Sequence, residues 1–370
     1  MNRFLEALAA TDGLVCELAV SSVGNDWHRW NGDYQSGLLS EVGREQSFHN
    51  TLNQPVSDPE ALAHLSDALG HFKPCVRRAA ARMLGNGKKP EAVTLLRSRI
   101  RSSDSRVREA AALGLAEAED VAAYHDLVAA LKDSEPAVAR MAAYALGDLE
   151  DARAVKPLGE LLKARDPQTR AAAAHALGDI EDIRAVEGLT PLVGDADTQV
   201  RLAAIEALGE LEDYRAAAGL SHALRDKNVD VRRAAAEALG NVESREGAQP
   251  LAQALEDSDP VVRRLAAQAL GELDNLKHAP PRLVSALSDR DPVLATLAAQ
   301  SLGEIGDTTT VPALMSAYSN PDPHVRFAVI RALGEMDDNR VRATLAMAKK
   351  DRDRIVRHTA AEALKDRDDD

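Results

Sequence analysis

A spaced pattern of the form VRRAAAEALG, Val231 to Gly240, returns along this chain at an almost invariant interval. Taking its last residue as a marker gives Gly85, Ala116, Gly147, Gly178, Gly209, Gly240, Gly271, Gly303, Gly334 and Lys365, in steps of 31 residues except for 32 between Gly271 and Gly303. A short fixed period restricts a chain to repeat architectures. Each copy is one supersecondary unit that cannot hide its apolar face alone and must stack on its neighbours.

Within the pattern, Val231, Ala234, Ala235, Ala238 and Leu239 recur at steps of three and four, the spacing of one apolar stripe on a helix. Arg232, Arg233 and Glu237 fall off that stripe. Gly240 is expected to end the helix in a left-handed conformation, which glycine reaches without a side-chain penalty. Upstream, Asn228 is placed as the cap. Other copies carry Asp-Pro there, as in Asp259-Pro260, Asp291-Pro292 and Asp322-Pro323; the carboxylate accepts orphan backbone N–H groups and proline tolerates the first turn. Each interval also holds an earlier apolar pattern, such as Val155, Leu158, Leu161 and Leu162, or Val186, Leu189, Leu192 and Val193. Every repeat therefore reads as two antiparallel helices. The expected fold is all-α, a right-handed α-solenoid of about ten helical hairpins over residues 58–370, opened by Asp58-Pro59. At about 8–10 Å per layer it would be on the order of 100 Å long. The extra residue of the longer step is placed near Ala279-Pro280-Pro281.

Residues 1–57 lie outside the period and are read as an N-terminal cap. Leu5, Leu8, Leu14, Val15, Leu18 and Ala19 suggest two short helices around Thr11-Asp12-Gly13, followed by Trp27, Trp30 and Tyr34. The end of a stack leaves an apolar face that such large side chains can cover; an aromatic ligand site is the alternative. Only 3% of the chain is aromatic, which suits close packing of Ala- and Leu-rich helices. The net charge of −14 disfavours generic attraction to nucleic acid or anionic membranes. Cys16 and Cys75 lack metal-ligand spacing and are read as reduced thiols, with a disulfide as the open alternative. Glu6, Asp12 and Glu17 interrupt the N-terminal apolar pattern, so neither a signal peptide nor a membrane span is expected, and the expected location is cytoplasmic.

The period, the VRxAAxxALG second helix, and the runs GDLEDARAVKPL and GDIEDIRAVEGL together resemble HEAT-like repeats of the phycobilisome-lyase type, over about five sixths of the chain. The resemblance implies that the Arg after the leading apolar residue pairs with an Asp six residues earlier to link neighbouring repeats. Asp195/Arg201, Asp226/Arg232, Asp257/Arg263 and Asp351/Arg357 fit that spacing, and the pattern lapses at Ala139 and Ala295. Such pairs, if exposed, would contribute about 0–1 kcal/mol each. The resemblance also implies that positions two, six and ten after the leading residue line a concave groove. Among them Arg140, Tyr144, His175, Leu202, Glu206, Arg233, Glu237, Arg264, Gln268, Phe327 and Arg331 are the candidate protein-binding residues. Tyr144, Leu202 and Phe327 weigh most, being apolar or aromatic where solvent alone would favour polar side chains.

Charge is unevenly placed. His71 to Ala110 holds eleven Lys/Arg against three Asp/Glu, whereas residues 111–370 carry a net −15. Arg77, Arg78, Arg82, Lys88, Lys89, Arg97, Arg99 and Arg101 form a candidate basic patch for an acidic or phosphate-bearing partner, weighed equally against a solvated charge run. Catalytic patterns are sparse. None of the ten histidines precedes a Glu, as the iron sites of deoxyhypusine hydroxylase would require, and no HExxH occurs. No catalytic residue, metal or cofactor is expected. The favoured function is a non-enzymatic protein–protein interaction scaffold or adaptor holding a protein or peptide in its groove. The alternatives are a phycobilin-lyase-like factor for chromophore attachment, suggested by the resemblance, and phosphate or nucleic-acid binding at the basic repeats, which the acidic body opposes.

Overall fold

A computed structural model describes residues 5–6, 9–10, 55–273 and 276–369. The described residues are helical throughout their regular structure and form ten hairpins in two compact units, Met1–Ala185 and Val186–Asp370. The first unit contains α1 (Pro59–Ala68) with α2 (Pro74–Asn86), α3 (Pro90–Arg99) with α4 (Ser105–Ala118), α5 (Tyr124–Ala130) with α6 (Pro136–Asp148), and α7 (Val155–Leu161) with α8 (Pro167–Asp179). The second begins with α9 (Val186–Leu189) and α10 (Thr198–Glu210), then α11 (Ala217–Ala223) with α12 (Val229–Asn241) and α13 (Ala248–Ala254) with α14 (Pro260–Glu272). It continues through α15 (Pro281–Ala286) with α16 (Pro292–Ile305), α17 (Val311–Ala317) with α18 (Pro323–Glu335), and α19 (Arg342–Ala348) with α20 (Arg354–Asp369). Pro191 explains why α9 is so short: it removes a helical donor, and the segment continues as a 3-10 turn over Thr190–Gly194.

The caps form as their chemistry dictates. Asp58 accepts the Ala61 N–H at 2.8 Å, and Asp259, Asp291, Asp322 and Asn228 each receive N–H groups of the helix they precede. Second helices then pack directly on second helices, α2 on α4, α4 on α6 and α6 on α8 in one unit, and α10 on α12 through α18 on α20 in the other. First helices meet the first helices of adjacent layers less closely. The leucine before the marker, from Leu84 to Leu333, is at most 1% exposed in every copy. Buried residues occupy a wider arc than one stripe, because each second helix is covered by both neighbours. Thus Ala236 is fully buried beside Ala235, while Ala234 is only half-buried.

The marker glycine does not end its helix. α12 continues to Asn241, and the left-handed residue is Glu243 at φ 52°. The same offset places Lys88, Glu119, Glu150, Glu181 and Glu212 at φ between 46° and 52°, and Gly306 at 67°. Glycine is favoured at the marker because the next second helix lies against it. A Cβ on Gly147 would stand 2.9 Å from Ala176 Cα, and one on Gly303 would stand 3.0 Å from Ala332 Cα, both well inside carbon contact distance. Gly147→Ala is therefore expected to lower stability by about 1–2 kcal/mol in urea unfolding, the overpacking cost outweighing the helix-propensity gain of Ala over Gly. A stabilised variant would show that the contact is loose.

A polar ladder also ties layers together. Arg201 Nη1 donates to the Asp195 carbonyl at 2.9 Å, and its guanidinium pairs with the Asp226 carboxylate at 2.8 Å. Arg232 binds the Asp226 carbonyl at 3.0 Å and the Asp257 carboxylate at 2.7 Å; Arg108 binds the Ser102 carbonyl at 2.9 Å and Asp133 at 2.6 Å. The carboxylate thus comes from the following repeat, and the residue six earlier supplies its carbonyl. This corrects the Asp195/Arg201 and Asp226/Arg232 pairs. Arg263 and Arg357 likewise donate to the carbonyls of Asp257 and Asp351. Each ladder Asp further accepts the N–H two residues on, Asp226 from Asn228 and Asp257 from Asp259, which fixes the capping residue itself. In the Asp-x-Arg runs, Asp151 and Asp182 cap the 3-10 turn and pair with Arg153 and Arg184.

The longer step is absorbed in the loop before α15, which is entered without a 3-10 turn. There the Ala279 N–H donates to the buried Asp307 carboxylate at 3.0 Å. Of the expected cap, Leu5 is buried and Lys73 Nζ donates to the Ala9 carbonyl. Trp27, Trp30 and Tyr34 lie outside the described residues. Cys75 is buried and disulfide-bonded, which corrects the reduced-thiol reading and removes the redox ground for a cytoplasmic location. No helix among the described residues is long and apolar enough to cross a membrane.

Candidate functional site

The second helices turn their leading residue, and those four, seven and eight positions later, into the core. Positions two, six and ten therefore face outward on the second-helix face of each unit. In the first unit Arg140, Tyr144 and His175 are half-buried there. In the second, Leu202, Arg233, Arg264 and Phe327 are half-buried and Glu206, Glu237, Gln268 and Arg331 are exposed. All eleven candidates are accessible, each within its own unit.

They differ in what already engages them. Arg140 pairs with Asp166 at 2.8 Å, Arg233 with Asp259 at 2.8 Å and Arg264 with Asp291 at 2.8 Å. Each of these acids is the N-cap of the next second helix. These arginines therefore belong partly to the frame, as clips between layers. The Arg233 hydrogen bond, assisted by the Val262 and Val261 N–H groups, outweighs desolvation and holds the Asp259 carboxyl at about 2. The signal was present in the sequence as an Arg followed 26 residues later by a capping Asp, or 27 across the longer step. Arg331 pairs within its own helix with Glu335 at 3.0 Å, and Gln268 donates to Glu272 at 2.9 Å. Burial pushes the Tyr144 hydroxyl above its ordinary range, with Arg140 opposing and Asp179 adding to the shift.

A row of carboxylates on the second unit was legible only as variable positions. Burial first, then the neighbouring Glu272 and Glu335 carboxylates, push the Glu304 carboxyl up, with Arg331 opposing. The basic patch, by contrast, is largely engaged internally. Arg97 and Arg101 converge on Asp126, whose side chain is buried, and more than offset the desolvation that would raise its pKa. Arg82 pairs with Glu117 at 3.0 Å and Lys88 with Glu119. Arg77 donates to the His71 and Phe72 carbonyls, and Arg99 to the Ser66 hydroxyl. Arg78 and Lys89 are half-buried beside them.

Stacked hairpins with a repeated frame and varied accessible positions define an α-solenoid repeat protein. HEAT repeats match residues 62–134, 124–209, 186–271 and 280–365, and the chain belongs to that family. No curated protein matches it. Among solved structures, an engineered protein from a structural genomics consortium is 21% identical with TM-score 0.53, over 82% of this chain and 98% of its own. A chain from the structure in which Kap95p binding induces the switch loops of RanGDP to adopt the GTP-bound conformation is 15% identical with TM-score 0.57. That alignment covers 98% of this chain and 57% of the other. The complex of CpcE and CpcF of phycocyanin lyase from Nostoc sp. PCC7120 matches at 25% identity and TM-score 0.39, over 66% of this chain and 93% of its own.

Proposed function

We propose that the chain is a non-enzymatic scaffold whose second-helix faces hold a protein or peptide segment. The observation that carries this reading is the half-burial of Tyr144, Leu202 and Phe327 on faces whose frame residues repeat while the accessible ones change. Large apolar side chains at such positions give up little to solvent when free and much to a partner when covered, which is how a few anchors supply most of a binding energy. A HEAT fold serving protein recognition, as in the Kap95p structure, supports the class. Quantitative affinity capture compares the parent chain with a Tyr144→Ser, Leu202→Ser, Phe327→Ser variant. Partners enriched by the parent are expected to fall about tenfold or more with the variant. Partner recovery unchanged by the triple substitution, with the variant folded, would remove the faces from consideration.

A further inference from the structure

Resting on the scaffold reading, we infer that the second-helix face of the second unit takes a basic, amphipathic segment in extended form. Its Lys/Arg side chains would meet Glu272 and Glu304, and its apolar ones Leu265, Leu297 and Phe327.

The cations of this face are committed elsewhere. Arg233 and Arg264 are drawn to the capping Asp259 and Asp291, and Arg331 to Glu335 on its own helix. What remains is a succession of carboxylates from consecutive layers. A Cβ on Gly240 would strike the Glu272 carboxylate and one on Gly271 that of Glu304. Each carboxylate therefore folds back over the glycine of the preceding layer, in line along the stack, instead of diverging into solvent. Lined up in this way they repel one another, and the raised Glu304 carboxyl reports that repulsion together with its burial. A basic segment relieves the repulsion, an acidic one compounds it, and a neutral one leaves it in place.

Charge is only half of the complementarity. Leu265 and Leu297 precede Glu272 and Glu304 by seven residues and Phe327 precedes Glu335 by eight, so they form a second row about two helical turns, roughly 10–12 Å, from the carboxylates, and all three are half-buried. A simple counter-ion would leave them uncovered, whereas a chain with apolar side chains between its charges would not. Layer spacing of about 8–10 Å against about 3.3 Å per extended residue sets the register at roughly three residues per layer.

The test uses the full chain and three labelled peptides of equal length and apolar content, carrying Arg, Gln or Glu at about every third position. Fluorescence anisotropy is expected to show binding of the Arg peptide alone, weakening as salt is raised. Glu272→Gln and Glu304→Gln together should weaken it about tenfold. The thermal midpoint of that variant should not fall, because the substitutions remove like-charge repulsion. Phe327→Ser should also weaken the Arg peptide. Equal binding of the Gln or Glu peptide, or no binding of any peptide, overturns the inference. Gln-peptide binding that is lost on Phe327→Ser would leave the scaffold reading standing. Arg-peptide binding indifferent to every one of these substitutions would remove the face, and the scaffold reading with it.

Discussion

Arg326→Met is expected to destabilise the second unit by about 3–5 kcal/mol, because it strands a carboxylate already taken out of water. The Arg326 and Asp351 side chains are each only 5% exposed, and they meet at 3.0 Å. Arg326 Nη1 also donates to the Asn320 and Pro321 carbonyls at 3.0 and 2.9 Å, so its loss weakens three acceptors at once, of which the Pro321 carbonyl keeps the Arg352 guanidinium. Asp351 would keep the Tyr318 hydroxyl and the Asp353 N–H, both at 2.8 Å, which limits the loss. The exposed Arg331–Glu335 pair on the same helix is the control, and breaking it should change stability by less than about 0.5 kcal/mol. Urea unfolding of the two variants measures the contrast; equal losses would mean that burial does not set the strength of the ladder. The same site gives a pH dependence. Arg326, the Asp353 N–H and Tyr318 outweigh desolvation and hold the Asp351 carboxyl at about 2, below the ordinary 3.8. Its contribution is complete above the ordinary value and is lost as pH falls through about 4 towards about 2. Burial, then Asp351, pushes the Tyr318 hydroxyl up to about 12, so its contribution is complete below 10.0 and is lost as pH rises from there through about 12.

Leu239→Ala is expected to cost about 2–5 kcal/mol. Leu239 is fully buried, and its Cδ2 lies 3.2 Å from where a Cβ on Gly247 would be, so it fills the space between α12 and the next 3-10 turn. The removed atoms leave a cavity that the surrounding layers fill only in part. Glu237 on the same helix is exposed, and its replacement by Ala should stay within about 0.5 kcal/mol. Hydrogen exchange should show the added opening in α12 and the layers that flank it, because repeat stability is a sum of local and nearest-neighbour terms. A loss spread evenly over the unit would contradict that picture.

The hairpins, their caps and their core leucines were legible because each rests on residues close in the chain, such as Asn228 before Val231 or Asp259 before Pro260. What misled the reading came from the next layer. Gly240 resembles a helix terminator locally, yet its neighbours are Ala269 and Glu272. The arginine ladder failed for a related reason. With a period of 31, an Asp six residues before an Arg and an Asp 25 residues after it are equivalent positions in successive copies, so spacing cannot distinguish them. Arg201 uses both, the carbonyl of Asp195 and the carboxylate of Asp226. The outward direction of the candidate site was legible from helical angle. The pairing of Arg140, Arg233 and Arg264 with the capping Asp 26 or 27 residues on was missed although present in the sequence, because the same positions carry Leu202 and Phe327 in other layers.

The ladder also has a direction. Arg108, Arg201, Arg232 and Arg326 reach forward for their carboxylates, and each aspartate they meet holds its own loop through the N–H two residues on. A chain cut after a hairpin leaves a guanidinium with two carbonyls and no counter-charge, whereas one cut before a hairpin leaves an aspartate still doing its local work. The two ends of any such stack are therefore chemically unequal. Growth or trimming by whole repeats should be tolerated better at the amino-terminal side than at the carboxyl-terminal side.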